Sequence, residues 1–495
     1  MDEQLLYFLK GTRIDAEYMQ SRLRHSVTGV KFPARNMFVQ LRKYADGFFR
    51  KGSEPRMIAL AGLRGTGKTT LLWHLAEYIH EHITQEVFFF NVNILNDLDV
   101  PLREALKAFE THILKASFSE YKKPVVLLID EVQDDPRWSK ALKMLYDEAP
   151  NVFVVCTGSS ALLLHQSADL ARRMHTVRVF PFKFTEFFLA KTRMEQLKEE
   201  LYPRPGLAQE LKEALFFSAT AEEVMQQVEK LKYGENSIEE YWKKAGFIKE
   251  QIEGAPSLKS IVWEYISFKN IPGFLMHEDK YAILDDLFTL IKRVVYEDLP
   301  KLHLLEDPLR LTSRAERLLL RLAASDEINP EKLSGLIGLK KSETEALIQA
   351  LHQAELIHLL FPFGGQDSRI LKNKKAFFMS PSLRRTLLSQ IYGRRLEEPF
   401  KAQLLEDLVV MYLKRILPES IITFSASTRH SNPDLVIETR QTPVLLEIST
   451  GSKSLRQTKK SKIKHRYAIF VSEEYGTIRQ KEHAVFLPLW YFLLL

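Results

Sequence analysis

The run Met57-Ile-Ala-Leu-Ala61, followed at once by Gly62-Leu-Arg-Gly-Thr-Gly-Lys-Thr69 and an amphipathic stretch, limits what this 495-residue chain can fold into more than any other feature. Five apolar residues in a row predict a buried strand, and a loop spaced as G-x-x-x-x-G-K-[ST] predicts a tight connection into a helix. The alternation then continues. Strands are predicted at Val87 to Val92, Val125 to Ile129 and Val152 to Cys156, with helices at Leu102 to Lys115 and Trp138 to Asp147. Near-continuous Val, Ile, Leu and Phe runs between amphipathic helices require a parallel sheet covered on both faces, so this part of the chain is α/β.

Glycine at Gly65 and Gly67 lets successive backbone N–H groups turn inward without a Cβ clash, which is how a loop cradles phosphate oxygens. Lys68 adds a cation for the β and γ phosphates, Thr69 a hydroxyl for Mg²⁺, and the following helix its positive N-terminal dipole. The nucleotide-binding candidates are therefore Gly62, Arg64, Gly65, Thr66, Gly67, Lys68, Thr69 and Thr70, with ATP and Mg²⁺ as the ligands. A second half of the site is read from Val125-Val-Leu-Leu-Ile-Asp130-Glu131, a strand ending in two acids. Asp130 at the tip would hold Mg²⁺ through its water shell and Glu131 would polarise the attacking water. A third strand ends in Cys156-Thr157-Gly158-Ser159-Ser160 and brings a polar tip to the same sheet edge, with Ser159 or Thr157 as the sensor of the terminal phosphate. Arg172 and Arg173 follow in a helix-like stretch; Arg173 is taken as the catalytic arginine finger, serving this chain's own site or a neighbour's.

The rest of the chain is long enough for further domains, because at 45% hydrophobic content 495 residues exceed what one core usually holds. Residues 1–50 read as helical and basic, and 189–299 as almost purely helical with a Lys/Glu-rich stretch. Between Leu311 and Pro362, three amphipathic segments broken at Gly338 read as a helix-turn-helix with an apolar strand behind it, serving either to read DNA or to pack domains together. From Glu397 the α/β pattern returns, with a helix at Phe400 to Ile416 and strands at Ile421 to Ser425, Asp434 to Glu438, Val444 to Ser449 and Ala468 to Val471. A net charge of +7 and pI near 9.0 permit contact with a polyanion. Cys156, the sole cysteine, has no intramolecular disulfide partner and lies in an apolar run, which reads as a core thiol in a reducing compartment. No signal peptide and no membrane span is read, so the expected location is the cytoplasm with no membrane partner.

Taken together, these residues resemble the prokaryotic AAA+ ATPases of the archaeal-type ATPase group that carry a C-terminal domain called DUF4143. The matching pieces are Gly62 to Thr69, Asp130-Glu131-Val-Gln133, Thr157 to Ser160 with its Leu run, and Arg173 to Phe187. Later ones are Trp263-Glu-Tyr to Pro272-Gly-Phe, Tyr296 to Pro300, and Pro488-Leu-Trp-Tyr-Phe. One departure is Arg172, where the family usually has Gly before the arginine. The resemblance implies a P-loop AAA+ parallel sheet of the additional-strand (ASCE) class, a helical lid, a winged helix and a C-terminal α/β nuclease-like domain. Its boundaries here would be 1–50 for an N-terminal helical segment, 51–188 for the ATPase core, 189–305 for a helical lid with a charged insertion, 306–385 for the winged helix and 395–495 for the DUF4143-type domain.

That last domain is similar in the family to PD-(D/E)XK nucleases, and the matching acids are Glu406, Asp434 and Glu447. The lysine expected two residues after the last acid is Ser449, which implies a degenerate site unless Lys453 reaches back from its loop. The implied function is an ATP hydrolase that switches or remodels a nucleic-acid or protein partner, as a homo-oligomer by analogy. The alternatives are an ATP-regulated DNA nuclease of a defence or mobile-element system, and a scaffold that only holds nucleotide. Glu131 speaks against the scaffold and Ser449 against the nuclease.

Overall fold

A computed structural model describes residues 3–159, 170, 172–196, 201–250, 257–302, 307–325, 327–395, 398–425, 433–451, 453, 455, 458 and 461–495. The chain divides into two compact units, Met1–Phe180 with Gln353–Glu355, and Pro181–His352 with Leu356–Leu495.

The first unit is built on strands β1 (Met57–Ala61), β2 (Val87–Asn91), β3 (Val125–Asp130), β4 (Val152–Gly158) and β5 (His175–Arg178), ordered β2-β3-β4-β1-β5 and all parallel. Alternate side chains point to opposite faces, so a strand buried on both sides must be apolar at every position. On one face Met57, Ala59, Phe88, Phe90, Leu127, Ile129, Val154 and Cys156 join one core; on the other Ile58, Leu60, Val126, Leu128, Phe153 and Val155 join a second. Helices α1 (Glu3–Lys10), α2 (Ala16–Leu23), α3 (Phe38–Lys51), α4 (Lys68–His82), α5 (Val92–Asp97), α6 (Leu102–Phe109) and α7 (Trp138–Glu148) belong to the same unit. Cys156 is fully buried and burial pushes its thiol up to about 12, which makes it a packing residue.

Arg172 and Arg173 are not helical: they stand in a turn that leads into β5. This short strand sits at the sheet edge, where only Val177 of its four residues is buried, and that is why it lacks the apolar run that marks the other four.

The second unit opens with helices, among them Phe184–Met194, Leu207–Phe217, Ala221–Lys232 and Lys280–Arg293. It then forms a nine-stranded sheet from β6 (Glu327–Ile328), β7 (Ile357–Pro362), β8 (Lys374–Phe378), β9 (Ile421–Phe424), β10 (Leu435–Glu438), β11 (Val444–Ser449), β12 (Ala468–Ser472), β13 (Arg479–Lys481) and β14 (Ala484–Pro488), ordered β13-β14-β12-β11-β10-β9-β7-β8-β6. Helices Pro308–Ala324, Pro330–Ile337 and Lys341–Gln353 precede the antiparallel pair β7 and β8, in the order read from the sequence. Strands β9, β10 and β11 are antiparallel neighbours, while β11, β12 and β14 run parallel. One sheet thus spans two segments that the sequence separates: β7 pairs in parallel with β9, Phe361 opposite Thr423 and Pro362 opposite Phe424. Among the described residues, no helix is long and apolar enough to cross a membrane.

Candidate functional site

In a parallel sheet all strands deliver their C-terminal ends to one edge, and the loops there collect polar groups from several strands. At that edge β1 leads into Gly62, β3 ends in Asp130 and Glu131, and β4 ends at Gly158. Gly65 and Gly67 have φ of 80° and 85°, backbone that a residue with a Cβ adopts only under strain, and Gly67 is the N-cap of α4. A Cβ at Gly62 would come 2.5 Å from the Val179 carbonyl oxygen, so the first glycine is fixed by close packing against the strand β5 chain.

Lys68 is 5% exposed, and its Nζ donates to the carbonyl oxygens of Gly62 (2.9 Å) and Leu63 (3.2 Å). Burial lowers the pKa of this ammonium, opposed by the nearby carboxylates of Glu131 and Asp130. A buried cation with neutral carbonyl partners and two acids across the loop suits an incoming phosphate. Thr69 Oγ1 donates to both Asp130 oxygens, at 3.2 and 3.1 Å. Thr157 Oγ1 donates to Asp130 Oδ1 and accepts the Glu131 N–H at 3.0 Å, so one hydroxyl links the two acids. Burial pushes the Asp130 carboxyl up to about 6, against the hydrogen bond from Thr157. Thr69, Asp130 and Lys68 thus present the hydroxyl, carboxylate and ammonium that Mg²⁺ and a polyphosphate require. Thr66 is fully buried, with its hydroxyl donating to Leu63 O at 2.7 Å; Arg64 and Thr70 are half-buried at the two ends of the turn.

Glu131 is half-buried with φ 55° and ψ 48°, a left-handed conformation that costs a residue with a side chain on the order of 1–3 kcal/mol. Of the two sensor candidates, Thr157 touches the acids directly. Ser159 is 8% exposed, and its hydroxyl has no partner among the described residues. Ser160 and the Leu run behind it lie outside the described residues.

Arg173 is not brought to this edge. His175 pairs with Ile58 and Arg178 with Ala61, so β5 begins at the opposite ends of the strands, and Arg173 precedes it. There its Nε donates to Asp147 Oδ1 at 2.8 Å, near the end of α7. The expectation of an arginine serving this chain's own site is corrected accordingly: four residues of extended chain carry the backbone away from the phosphate loop.

Two contributors were given no role by the sequence. Arg35, 8% exposed, donates from Nη1 to Thr66 O (2.7 Å) and from Nη2 to Phe180 O (2.9 Å), holding the phosphate loop against the end of the sheet. Its sequence signal is only a Pro33 and an arginine before a helix. Gln133 lies two residues past Glu131 and donates to its carboxylate from Nε2.

In the second unit Asp434 and Glu447 meet through Lys453, whose Nζ lies 2.8 Å from Asp434 Oδ2 and 2.7 Å from Glu447 Oε2. Glu447 is 1% exposed, and burial followed by the charge of Asp434 raises its pKa. Glu406 does not complete a carboxylate triad: among the described residues no three His, Cys, Asp or Glu side chains gather to hold a metal ion. Its helix, Glu398–Ile416, packs on β11, but the acid fully buried on it is Asp407, which is bound to Arg384.

Residues 54–188 match the model of a family described as an AAA domain (AAA_14), and residues 271–391 match that of a domain of unknown function, DUF8612. The match in the second half is therefore not the expected DUF4143, and it covers the helical segment and the β7 and β8 pair instead of the C-terminal strands. An uncharacterized protein of Methanocaldococcus jannaschii, MJ1637, is 27% identical over 463 residues, 92% of this chain and 88% of its own. A second from the same organism, MJ1544, is 29% identical over 132 residues, 26% of this chain and 27% of its own. Among solved structures, Aeropyrum pernix ORC1 in complex with DNA aligns with TM-score 0.32 and 11% identity over 78% of this chain and 98% of that chain. Cdc6p from Pyrobaculum aerophilum aligns with TM-score 0.29 and 15% identity over 77% and 98%. The stretch that matches the AAA-domain model takes in all five strands of the parallel sheet, β1 to β5.

Proposed function

We propose that this chain is an ATP hydrolase that uses Mg-ATP to switch or remodel a nucleic-acid or protein partner. The observation that carries this reading is the buried Lys68 ammonium facing Asp130 and Glu131 across a glycine loop, with the Thr69 hydroxyl already on Asp130. Lys68 exchanges its two carbonyl partners for phosphate oxygens, and the loop and α4 N-terminus hold those oxygens in place. Thr69 and Asp130 would hold the metal, while Glu131 takes up the proton of the attacking water. When bound, Mg²⁺ would supply positive charge beside the phosphate oxygens. Arg173, at the far ends of the strands, can serve only a neighbouring copy, so a homo-oligomer belongs to this reading. A cytoplasmic location belongs to it too.

DNA is the partner favoured by the net charge of +7 and by exposed Lys340, Lys341 and Ser342 at the start of helix Lys341–Gln353. The test is ATP turnover by the wild type and Lys68→Ala, with and without duplex and single-stranded DNA. The expected result is turnover that DNA raises and that Lys68→Ala loses together with ATP binding. Turnover indifferent to DNA moves the partner to a protein, and no turnover in any condition removes the hydrolase reading.

The reach of Lys453 into the Asp434 and Glu447 pair favours a second activity for the same chain, cutting of a phosphodiester. Asp434 and Glu447 would hold the divalent cation, and Lys453 supplies from its loop the ammonium that Ser449 lacks. The cation would supply charge on the scissile phosphate and a bound water of lowered pKa. Supercoiled plasmid and single-stranded oligonucleotide incubated with Mg²⁺ or Mn²⁺, with and without ATP, should be cut by the wild type and at least about tenfold more slowly by Lys453→Met. Intact substrates in every condition leave the C-terminal strands without this chemistry.

A further inference from the structure

Glu131 needs an external hold. Its backbone is left-handed, its N–H is fixed to Thr157 Oγ1, and a half-buried carboxylate on such a turn can rotate about its side-chain bonds unless something stops it. The turn that follows, Val132–Asp134, is anchored at its far end: Asp135 accepts the Leu102 N–H at the start of α6 (2.8 Å) and the Arg137 N–H (2.7 Å). Gln133 is carried on this fixed turn and is 6% exposed. Its Nε2 donates to Glu131 Oε2, while its own Oε1 is buried with no partner among the described residues. A buried amide left half satisfied costs stability, and its placement beside the acid at the phosphate edge gives that cost a use.

We propose that Gln133 is a positioning residue for ATP hydrolysis: its amide holds one oxygen of Glu131 so that the other faces the attacking water. This rests on the ATP-hydrolase reading above. The amide acts through the carboxylate and touches neither nucleotide nor metal. Its loss should therefore lower kcat and leave nucleotide affinity alone.

Gln133→Met keeps the volume and removes the donor. In the full-length protein with Mg-ATP, it should lower kcat by about tenfold or more, the usual weight of a hydrogen bond to a charged group. KM for ATP and the Kd of a fluorescent ADP should each stay within about threefold, and the thermal midpoint should stay near that of the wild type. Added to Glu131→Gln, it should cost nothing further, because a residue that acts only through Glu131 has no effect once that carboxylate is gone. A wild-type kcat in Gln133→Met, an additive loss in the double variant, or equal damage to KM and kcat would overturn the assignment. A faster Gln133→Met would overturn it as well, since the amide would then restrain Glu131. Absence of turnover in the wild type overturns the hydrolase reading and this assignment together, whereas turnover untouched by Gln133→Met removes this assignment alone.

Discussion

Glu131→Gln is expected to bind ATP about as tightly as the wild type and to hydrolyse it roughly 100-fold more slowly or worse, the typical contribution of a positioned general base. The change is nearly isosteric, so Thr157 still receives the 131 N–H and the left-handed turn stands. What is lost is the negative oxygen that takes the proton. A single-turnover measurement with radiolabelled ATP separates the two steps: wild-type binding with chemistry slowed by that factor supports the role. Turnover within about threefold of the wild type would assign the base elsewhere. Both acids at this edge should not behave alike, because Asp130 is bound by two hydroxyls and Glu131 by an amide and a backbone turn.

Asp407→Ala is expected to lower the stability of the second unit by about 3–5 kcal/mol, the usual loss when one member of a buried ion pair is removed. Arg384 and Asp407 are both fully buried, joined at 2.6 and 2.9 Å, and Asp407 also accepts the Phe378 N–H of β8 at 2.7 Å. Without the carboxylate the guanidinium keeps Ala323 O at 3.1 Å and the face of the Phe378 ring at 5.0 Å, neither of which carries a negative charge, and its own charge remains in the core. Urea unfolding followed by intrinsic fluorescence reads the loss, and a shift equivalent to less than about 1 kcal/mol would mean that water or another side chain takes over the charge. Replacing both residues with apolar ones of similar volume should recover part of the stability, because the pair is costly to bury and more costly to split.

The strands of the first sheet were legible because burial on both faces forces an apolar run, and β1, β3 and β4 fall within one or two residues of their predicted ends. Strand β5 was not: three of its four residues are exposed, and Arg172 and Arg173 before it stand in a turn where the sequence suggests helix. The phosphate loop announces itself through glycine spacing, but Arg35 reaches Thr66 from 31 residues away, and no spacing encodes that. Gln133 stands in a quoted motif, yet its role depends on the direction of a side chain after a left-handed residue. Asp434, Glu447 and Lys453 were each visible as residue types, and the meeting of the lysine with both acids required the loop after β11 to fold back. Glu406 shows the reverse case, where helix phase gave the neighbouring Asp407 the buried position.

The two-rung junction between β7 and β9 has a practical side for anyone dissecting this protein. It is short, but beside it Phe363 N–H meets Phe424 O at 2.7 Å and Arg369 meets Glu438 at 2.6 Å, so the segments on either side share one hydrogen-bonded ladder. A fragment ending near residue 395 would present β7 as a bare rim with Phe361 exposed on it, and a fragment starting near 398 would do the same with β9. Open rims of this kind recruit other chains. Pieces cut at the boundary that the sequence suggests are thus poor reagents, and insolubility in them would report the severed ladder and nothing about the activity of either half.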